Sequence, residues 1–336
     1  MNIKLRDYRR RVLVIRLSAL GDVAILEPII RLRAAANPDT LFLVAAPDRL
    51  MPLFCDIPNL RFVPTIKKQS PFALYKQFYS LHPTVVADMH HVNRVVMADF
   101  LLRLKGLTIV SINKKSQPVR PTWLRYNEVF DRCGLKPSKE LIVSYHGRYD
   151  DTIAGNYYEL KTNDSGIFRI GIAPFTQHEG KLWPLEKMEQ LIHKLSEDER
   201  FHVVLFGSKS EAETLINWAN KYPHVTSLAG TESFDLEMKR LAEIDLMVSM
   251  DSANMHFASS MGVPVISIWG ATHPKTGFYG WRQNPDWAVQ VDMPCRPCSK
   301  FGNKPCKFKD YRCMNAITPE MVFRKICSLT VDKQSR

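Results

Sequence analysis

Short apolar runs alternate with amphipathic stretches along the chain, and this alternation predicts its secondary structure. Strands are predicted at the apolar runs Val12–Ile15, Leu41–Ala45, Arg61–Val63, Thr84–Ala87, Thr108–Ser111, Arg169–Ala173, His202–Phe206, Leu246–Ser249 and Val265–Trp269. Helical spacing of apolar residues predicts helices between them, near 22–36, 71–81, 92–104, 122–133, 184–195, 210–222, 234–243, 253–261 and 318–330. Strands that are apolar on both faces and separated by helices indicate parallel sheets covered on both sides.

The alternation is interrupted once, over residues 146–168, which are polar and weakly periodic. A chain of 336 residues is longer than one hydrophobic core usually serves. We therefore expect two doubly wound domains, 1–155 and 165–317, facing a central cleft, and a C-terminal helix within 318–336 that packs back toward the first domain. In such sheets, ligands bind beyond the carboxyl ends of the strands.

The positive charge of the chain lies in its first half. Residues 1–150 contain 24 Lys and Arg against 12 Asp and Glu, whereas the remaining residues contain 22 of each, and the net charge is +12. A field of this sign favours an anionic partner: a nucleic acid, an acidic membrane surface or a phosphorylated glycan.

The N-terminus has no continuous apolar segment of signal-peptide type, and no run is long enough to span a membrane, so we expect a cytoplasmic protein. Four of the seven cysteines cluster with the spacing C-x2-C-x7-C-x6-C: Cys295, Cys298, Cys306 and Cys313. In a reducing compartment, this cluster is compatible with a structural zinc site or with free thiols. A basic, zinc-containing nucleic-acid-binding protein is one hypothesis, but the cysteines lie in the neutral half and no nucleic-acid motif is present.

The first strand runs into "RLSALGDV", which places Asp22 where a helix begins. Asp22 either caps that helix or does chemistry at the sheet edge. The turn is neither a dinucleotide fingerprint nor a P-loop. No Asp-x-Asp metal clamp occurs in the chain, so the charge of a leaving group must be met by lysine, helix N-termini and hydroxyls.

Two segments of the second half bring similar chemistry to a sheet edge. "MDSANMHFASSMGVPVISIWGATHP" places Asp251, Ser252 and His256 at a helix start, and Gly270 to Thr272 after the next strand. Hydroxyls and a helix N-terminus at one edge suit a diphosphate, although an ordinary strand–helix connection with a core histidine has the same pattern. "PFTQHEGKLWP" adds Thr176 and Lys181, the latter either a phosphate ligand or a surface lysine.

Taken together, "RLSALGDV", "PFTQHEGKLWP" and "MDSANMHFASSMGVPVISIWGATHP" resemble glycosyltransferase family nine, the ADP-heptose:lipopolysaccharide heptosyltransferases. The resemblance implies a GT-B fold of two Rossmann-like domains, with inverting and metal-independent transfer. It implies that Asp22 is the general base. It also implies a donor site formed by Thr176, Lys181, Glu211, Asp251, Ser252, Ala253, His256, Gly270 and Thr272. Ala253 stands where the family motif has glycine.

The expected reaction moves a heptose from ADP-heptose to an anionic lipopolysaccharide core, with the protein peripheral at the inner face of the cell membrane. Candidate acceptor contacts are Arg16, Arg94, Arg120 and Arg125. The adjacent His90 and His91 are either acceptor contacts or surface residues. Three other functions stay open: transfer from another nucleotide sugar or to another glycan, the nucleic-acid-binding protein, and a sugar-nucleotide sensor without turnover.

Overall fold

Two units divide the chain, residues 1–152 and 153–336, in a computed structural model that describes residues 5–114, 119–137, 157–160 and 166–331. The predicted domain ends at 155 and 165, and most of the predicted crossing over 146–168, lie outside the described residues. The crossing therefore stays a prediction.

The first unit is built on a parallel sheet of five strands in the order β3-β2-β1-β4-β5. Its elements are β1 Arg10–Ile15, α1 Leu20–Ala36, β2 Thr40–Pro47, β3 Leu60–Thr65, α2 Pro71–Tyr79, β4 Val85–Asp88, α3 Asn93–Arg103, β5 Thr108–Ser111 and α4 Thr122–Arg132. Helices α2 and α3 pack side by side on the face that carries Leu13 and Ile15. Helices α1 and α4 pack together, and on α4 the ring of Phe130 meets Phe42 of β2.

The second unit has a parallel sheet of six strands in the order β11-β10-β9-β6-β7-β8. Its elements are β6 Phe168–Ala173, α5 Leu185–Ser196, β7 Phe201–Leu205, α6 Ala212–Lys221, β8 Val225–Ser227, α7 Phe234–Ala242, β9 Leu246–Met250, α8 Ala253–Ser260, β10 Val265–Ile268, β11 Ala288–Val289, α9 Arg312–Asn315 and α10 Pro319–Val331. Two parallel α/β sheets confirm the predicted fold class.

The C-terminal helix α10 lies against α5, and its Val322 and Ile326 belong to the buried core of the second unit. The indole Nε1 of Trp183 donates to the carbonyl of Ile317 just before this helix, at 3.1 Å. The main contacts of this helix are with its own unit, and its predicted approach to the first domain stays a prediction.

The strand order of each sheet changes direction once, between β1 and β4 in the first unit and between β6 and β9 in the second. Such a switch point opens a crevice at the carboxyl ends of the two strands, and ligands of doubly wound sheets bind there. Asp22 follows β1, Lys181 follows β6 and Asp251 follows β9. None of the helices in the described part of the chain is long and apolar enough to span a bilayer.

Candidate active site

A lysine and an aspartate from the two strands at the switch point meet in the second unit. Lys181 ends a 3₁₀ turn after β6, and its Nζ lies 2.9 Å from Oδ2 of Asp251, which follows β9. The hydroxyl of Thr272, in the loop after β10, donates to the same oxygen at 2.8 Å. We name these three residues the Lys181 cluster. The structure thus brings together three residues that the sequence placed at one edge of the sheet.

Helix α8 begins directly beside this cluster. Ser252 precedes the helix, and its Oγ lies 3.2 Å from Oγ of Ser249. Ala253 is the first helical residue and is half-buried, and His256 is buried one turn further on. A helix N-terminus presents backbone N–H groups and a positive partial charge to an anion.

Three other candidates of the donor site have different surroundings. Glu211 accepts the backbone N–H of Ser208 at 2.6 Å, so its carboxylate closes the turn between β7 and α6. Gly270 packs against α9, because a Cβ there would lie 2.6–2.8 Å from side-chain atoms of Met314. Thr176 is half-buried in the loop after β6.

The segment 295–313 covers the turn that carries Lys181. The sequence did not predict this contact. Gly302 has a φ of +76°, and a Cβ on it would lie 2.5 Å from Cγ of Lys181. The hydroxyl of Tyr311 donates to Oε2 of Glu179 at 2.8 Å, and the N–H of Ala271 donates to the carbonyl of Gly180 at 2.9 Å. Gly302 therefore allows this segment to confine the lysine side chain.

Two of the four clustered cysteines take part in this packing. The N–H groups of Cys298 and Ser299 donate to the carbonyl of Ala271 at 3.1 and 3.2 Å, and Cys313 is buried. Over the residues that the structure describes, which include all four thiols, no three His, Cys, Asp or Glu side chains converge as ligands for a metal ion. The structure does not support the zinc hypothesis for Cys295, Cys298, Cys306 and Cys313, since no three of these thiols come together as a ligand set.

In the first unit, Asp22 is held by Arg16, which the sequence predicts only as an acceptor contact. Nη2 of Arg16 lies 2.6 Å from Oδ2 of Asp22, and Nη1 donates to the carbonyl of Met89 at 2.6 Å. Oδ2 also accepts the N–H of Ala19 at 3.3 Å, at the start of α1. Asp22 therefore caps its helix from the third helical position, and the same carboxylate stands at the switch point. We name Arg16 and Asp22 the Asp22 cluster.

The loop after β4 borders the Asp22 cluster and is organised by Asp88. Oδ1 of Asp88 accepts the N–H groups of His90 and His91 at 2.9 and 2.7 Å, and Oδ2 lies 3.0 Å from Nδ1 of His91. Burial, and then the positive charges of Arg16 and Lys114, lower the pKa of His90 to about 4, so this ring is neutral at pH 7. His90 is buried rather than a surface residue.

A second carboxyl group faces Asp88. Asp99 of α3 is 2% exposed, and burial, followed by the negative charge of Asp88, raises the pKa of Asp99 to about 8. Asp99 therefore carries a proton at neutral pH. The sequence contains a signal for this pair that we did not use: they are the only acidic residues between Asp56 and Glu128.

The four candidate arginines divide into two pairs. Arg125 interacts electrostatically with Asp22 and donates to Oγ1 of Thr122 at 2.7 Å. Arg125 therefore lies beside the Asp22 cluster, to which Arg16 belongs. Arg94 is bonded to the carbonyl of Lys67, and Arg120 pairs with the carboxylate of Glu128. Lys114, not predicted, interacts with both Arg16 and Asp22.

Residues 148–311 match the model of glycosyltransferase family 9 (heptosyltransferase). Lipooligosaccharide heptosyltransferase 2 of Campylobacter jejuni is 25% identical over 133 residues, 38% of this chain and 41% of that protein. The match thus spans about two fifths of the length of that relative. A lipopolysaccharide core heptosyltransferase of Haemophilus influenzae is 20% identical over 283 residues, 78% of this chain and 79% of that protein.

Solved structures show the same architecture. A family 9 glycosyltransferase of Veillonella parvula matches with a TM-score of 0.73 at 17% identity, over 99% of both chains. ADP-heptose lipopolysaccharide heptosyltransferase II of E. coli matches with a TM-score of 0.67 at 15% identity, over 97% of this chain and 99% of that one. At these identities the likeness shows the fold, and the predicted GT-B type is confirmed.

Proposed function

We propose that this chain transfers a heptose from ADP-heptose to a lipopolysaccharide core, because residues 148–311 match the domain model of glycosyltransferase family 9 (heptosyltransferase). One observation carries the proposal: within this domain, the Lys181 cluster lies at the switch point of the sheet, beside the start of α8. Two proteins of similar fold or sequence are described as lipopolysaccharide heptosyltransferases, one of them of ADP-heptose.

The second unit binds the donor in this proposal. Lys181 supplies a positive charge on a flexible stem, which suits the diphosphate, and the N-terminus of α8 adds backbone N–H groups. Asp251 keeps Lys181 at the sheet edge while the site is without donor. Lys181, the helix N-terminus and the hydroxyls of Ser252 and Thr272 stabilise the leaving nucleotide, so the transfer needs no divalent metal.

Asp22 is the general base of the proposed reaction. It removes the proton from the acceptor hydroxyl as that oxygen attacks the anomeric carbon from the face opposite the nucleotide, which inverts the configuration. The guanidinium of Arg16 and the backbone N–H of Ala19 both contact Oδ2 of Asp22. We therefore assign proton transfer to Oδ1. General-base assistance of this kind contributes about 10²–10⁴-fold.

Arg16, Arg125 and Lys114 surround Asp22 with positive charge, which suits a phosphorylated acceptor. We propose that the enzyme meets this acceptor at the cytoplasmic face of the inner membrane as a peripheral protein. Arg94 and Arg120 stay acceptor candidates, although each is already bonded to another protein group.

One observation favours a second candidate function of the same class. Ala253 stands at the start of α8 where the motif that it resembles has glycine, and its Cβ narrows the backbone approach for a phosphate. Another nucleotide-sugar donor, or a different glycan acceptor, fits this difference.

Calorimetric binding of a panel of nucleotides and nucleotide sugars in the presence of EDTA tests the proposal. We expect ADP-heptose and ADP to bind more tightly than uridine and guanosine counterparts, and turnover with a Kdo-bearing lipid A acceptor to survive the chelator. Preference for a uridine or guanosine sugar would contradict the ADP-heptose assignment, and loss of turnover in EDTA would contradict metal independence.

A further inference from the structure

Helices α2 and α3 are apolar on their outer as well as their inner surfaces. Seven of the 15 large hydrophobic residues that are exposed in the described chain lie between residues 66 and 104. They are Ile66, Phe72, Tyr79, Val96, Met97, Phe100 and Leu104. We name these seven residues the α2–α3 face.

The helical spacing explains how both surfaces become apolar. Val95, Ala98 and Leu102 of α3 point into the core, whereas Val96, Phe100 and Leu104 are spaced four residues apart on the opposite side. Phe100 and Leu104 are 56% and 67% exposed. Clustered large apolar side chains on an exposed surface are typical of an interaction site, so this outer surface calls for a partner.

The outer side of α2 is aromatic. The rings of Phe72, Tyr75 and Tyr79 succeed one another at centroid distances of 5.9 and 5.8 Å. Phe72 is 55% exposed, and Nζ of Lys76 lies 4.7 Å from its ring centroid. Aromatic rings next to lysine ammonium groups are typical of surfaces that meet the boundary between lipid chains and headgroups.

The charge of this part of the chain has one sign at the surface. Between Asp56 and Glu128 there are eleven lysines and arginines but only two acidic residues, Asp88 and Asp99. Both acidic residues are buried, at 0% and 2% exposure, so their charges do not reach the outer surface. A protein partner would need an acidic patch to match this surface, whereas an anionic bilayer provides both negative headgroups and apolar chains.

From this combination we propose that the α2–α3 face docks onto the surface of an anionic phospholipid bilayer. This surface would hold the protein at the membrane. The biological purpose of such docking rests on the proposed function. Helices α2 and α3 begin at the carboxyl edge of the sheet, where Asp22 also lies. Docking through these helices therefore keeps the Asp22 cluster near the bilayer, where a lipid-linked acceptor presents its hydroxyl.

Vesicle flotation with the full chain tests the surface without any acceptor. Wild type should float with phosphatidylglycerol-containing vesicles and not with pure phosphatidylcholine vesicles. The triple variant Phe72→Ser/Met97→Ser/Phe100→Ser should lose at least about tenfold in vesicle affinity, because it removes the apolar contact. A matched triple variant of exposed apolar residues in the second unit, Ile216→Ser/Leu236→Ser/Met321→Ser, should bind as wild type does.

A charge variant separates the electrostatic part of the binding. Lys76→Glu/Lys105→Glu should weaken binding to anionic vesicles, and the loss should shrink at high salt. Lys194→Glu/Lys221→Glu, with the same change in net charge on the second unit, should have little effect. Equal losses in both charge variants would show an effect of net charge alone and overturn the assignment of the face.

The outcomes distinguish this inference from the proposed function. With a water-soluble acceptor fragment, the serine variant of the α2–α3 face should keep wild-type turnover. With an acceptor embedded in vesicles, the turnover of this variant should be lost. Absence of any heptose transfer by wild type would contradict the proposed function while flotation still reports on the face. Membrane docking would be overturned if wild type did not bind anionic vesicles. It would also be overturned if wild type were a dimer in solution and the serine variant a monomer.

Discussion

Both units place a charged pair at the switch point of a parallel sheet, but they expose opposite members of that pair. In the Asp22 cluster the aspartate side chain is 17% exposed and its arginine 11%. In the Lys181 cluster the lysine is 14% exposed and its aspartate 4%. The member that is nearer to solvent is the carboxylate in the first unit and the cation in the second.

The anchoring of the two cations differs in the same sense. Arg16 is fixed by the Met89 carbonyl and stacks near the ring of Tyr126, so it holds Asp22 in place. In the proposed function, Lys181 exchanges its partner Asp251, which Thr272 also holds, for the diphosphate of the donor. On that proposal, one scaffold yields a positioned base in one unit and a transferable positive charge in the other.

Asp22→Asn should produce the largest effect. An amide keeps a hydrogen bond at the helix start but does not accept a proton, so we expect turnover to fall at least about 10²-fold at saturating substrates. Donor affinity measured by calorimetry should stay the same. Asp39→Asn, an exposed aspartate at the opposite edge of the sheet, serves as the control; near-wild-type turnover of Asp22→Asn would refute its assignment as the base.

Lys181→Ala should have the next largest effect, and on binding rather than on chemistry alone. Loss of the ammonium leaves the diphosphate without its side-chain cation, so donor affinity should weaken by about 10- to 100-fold, or about 1.4–2.8 kcal/mol. Lys194→Ala, which removes a half-exposed lysine paired with Glu320, provides the matched control. Unchanged donor affinity in titrations of Lys181→Ala would remove this residue from the site.

Gly302→Ala tests whether segment 295–313 positions Lys181. The new Cβ meets Cγ of Lys181, whereas at Gly106, with a φ of +82°, a Cβ meets nothing within 4 Å. Both alanine variants should lose roughly 1–2 kcal/mol in free energy of unfolding, because each adopts a left-handed conformation. Only Gly302→Ala should also weaken donor binding, by a few-fold; the same donor affinity in both variants would show that the segment does not confine the lysine.

The smallest effect concerns the carboxyl pair beside the Asp22 cluster. The pKa of Asp99 is about 8 in the folded protein and about 3.9 in an unfolded chain, so between these values the folded state binds more protons. The contribution of Asp99 to the free energy of unfolding therefore falls as pH rises from about 4 to about 8. Asp99→Asn needs no proton, so its stability relative to wild type should increase by at least about 1 kcal/mol between pH 5 and pH 8.

Denaturant unfolding at both pH values measures this difference, with the exposed Asp48→Asn as control. A pH dependence of Asp99→Asn equal to that of wild type would mean that Asp99 carries no proton at neutral pH.

The sequence predicted the strands and helices with a strong period, and each was found within two residues of its expected ends. The elements that it missed, β8, β11 and α9, have three, two and four residues, too few to show a period. The rule for carboxyl strand ends also placed Lys181, Asp251 and Thr272 at one edge.

Contacts between distant segments were beyond this reasoning. Asp99 meets Asp88 because the inner face of α3 returns to the end of β4, and Gly302 meets Lys181 through a loop without a repeating pattern. Arg94 bonds to the carbonyl of Lys67, and Arg120 pairs with Glu128. Which partner each arginine takes depends on its side-chain rotamer, which local sequence does not encode.

The packing of α10 into the second core sets the order in which the protein matures on the ribosome. Among the described residues of the first unit, the last buried apolar side chain is Leu135, whereas the second core also includes Val322 and Ile326. At translation rates of about 5–20 residues per second, synthesis of the intervening chain takes roughly 10–40 s. The first unit therefore has time to fold while the second unit is still being made, and a nascent chain arrested before α10 carries an unfinished second core.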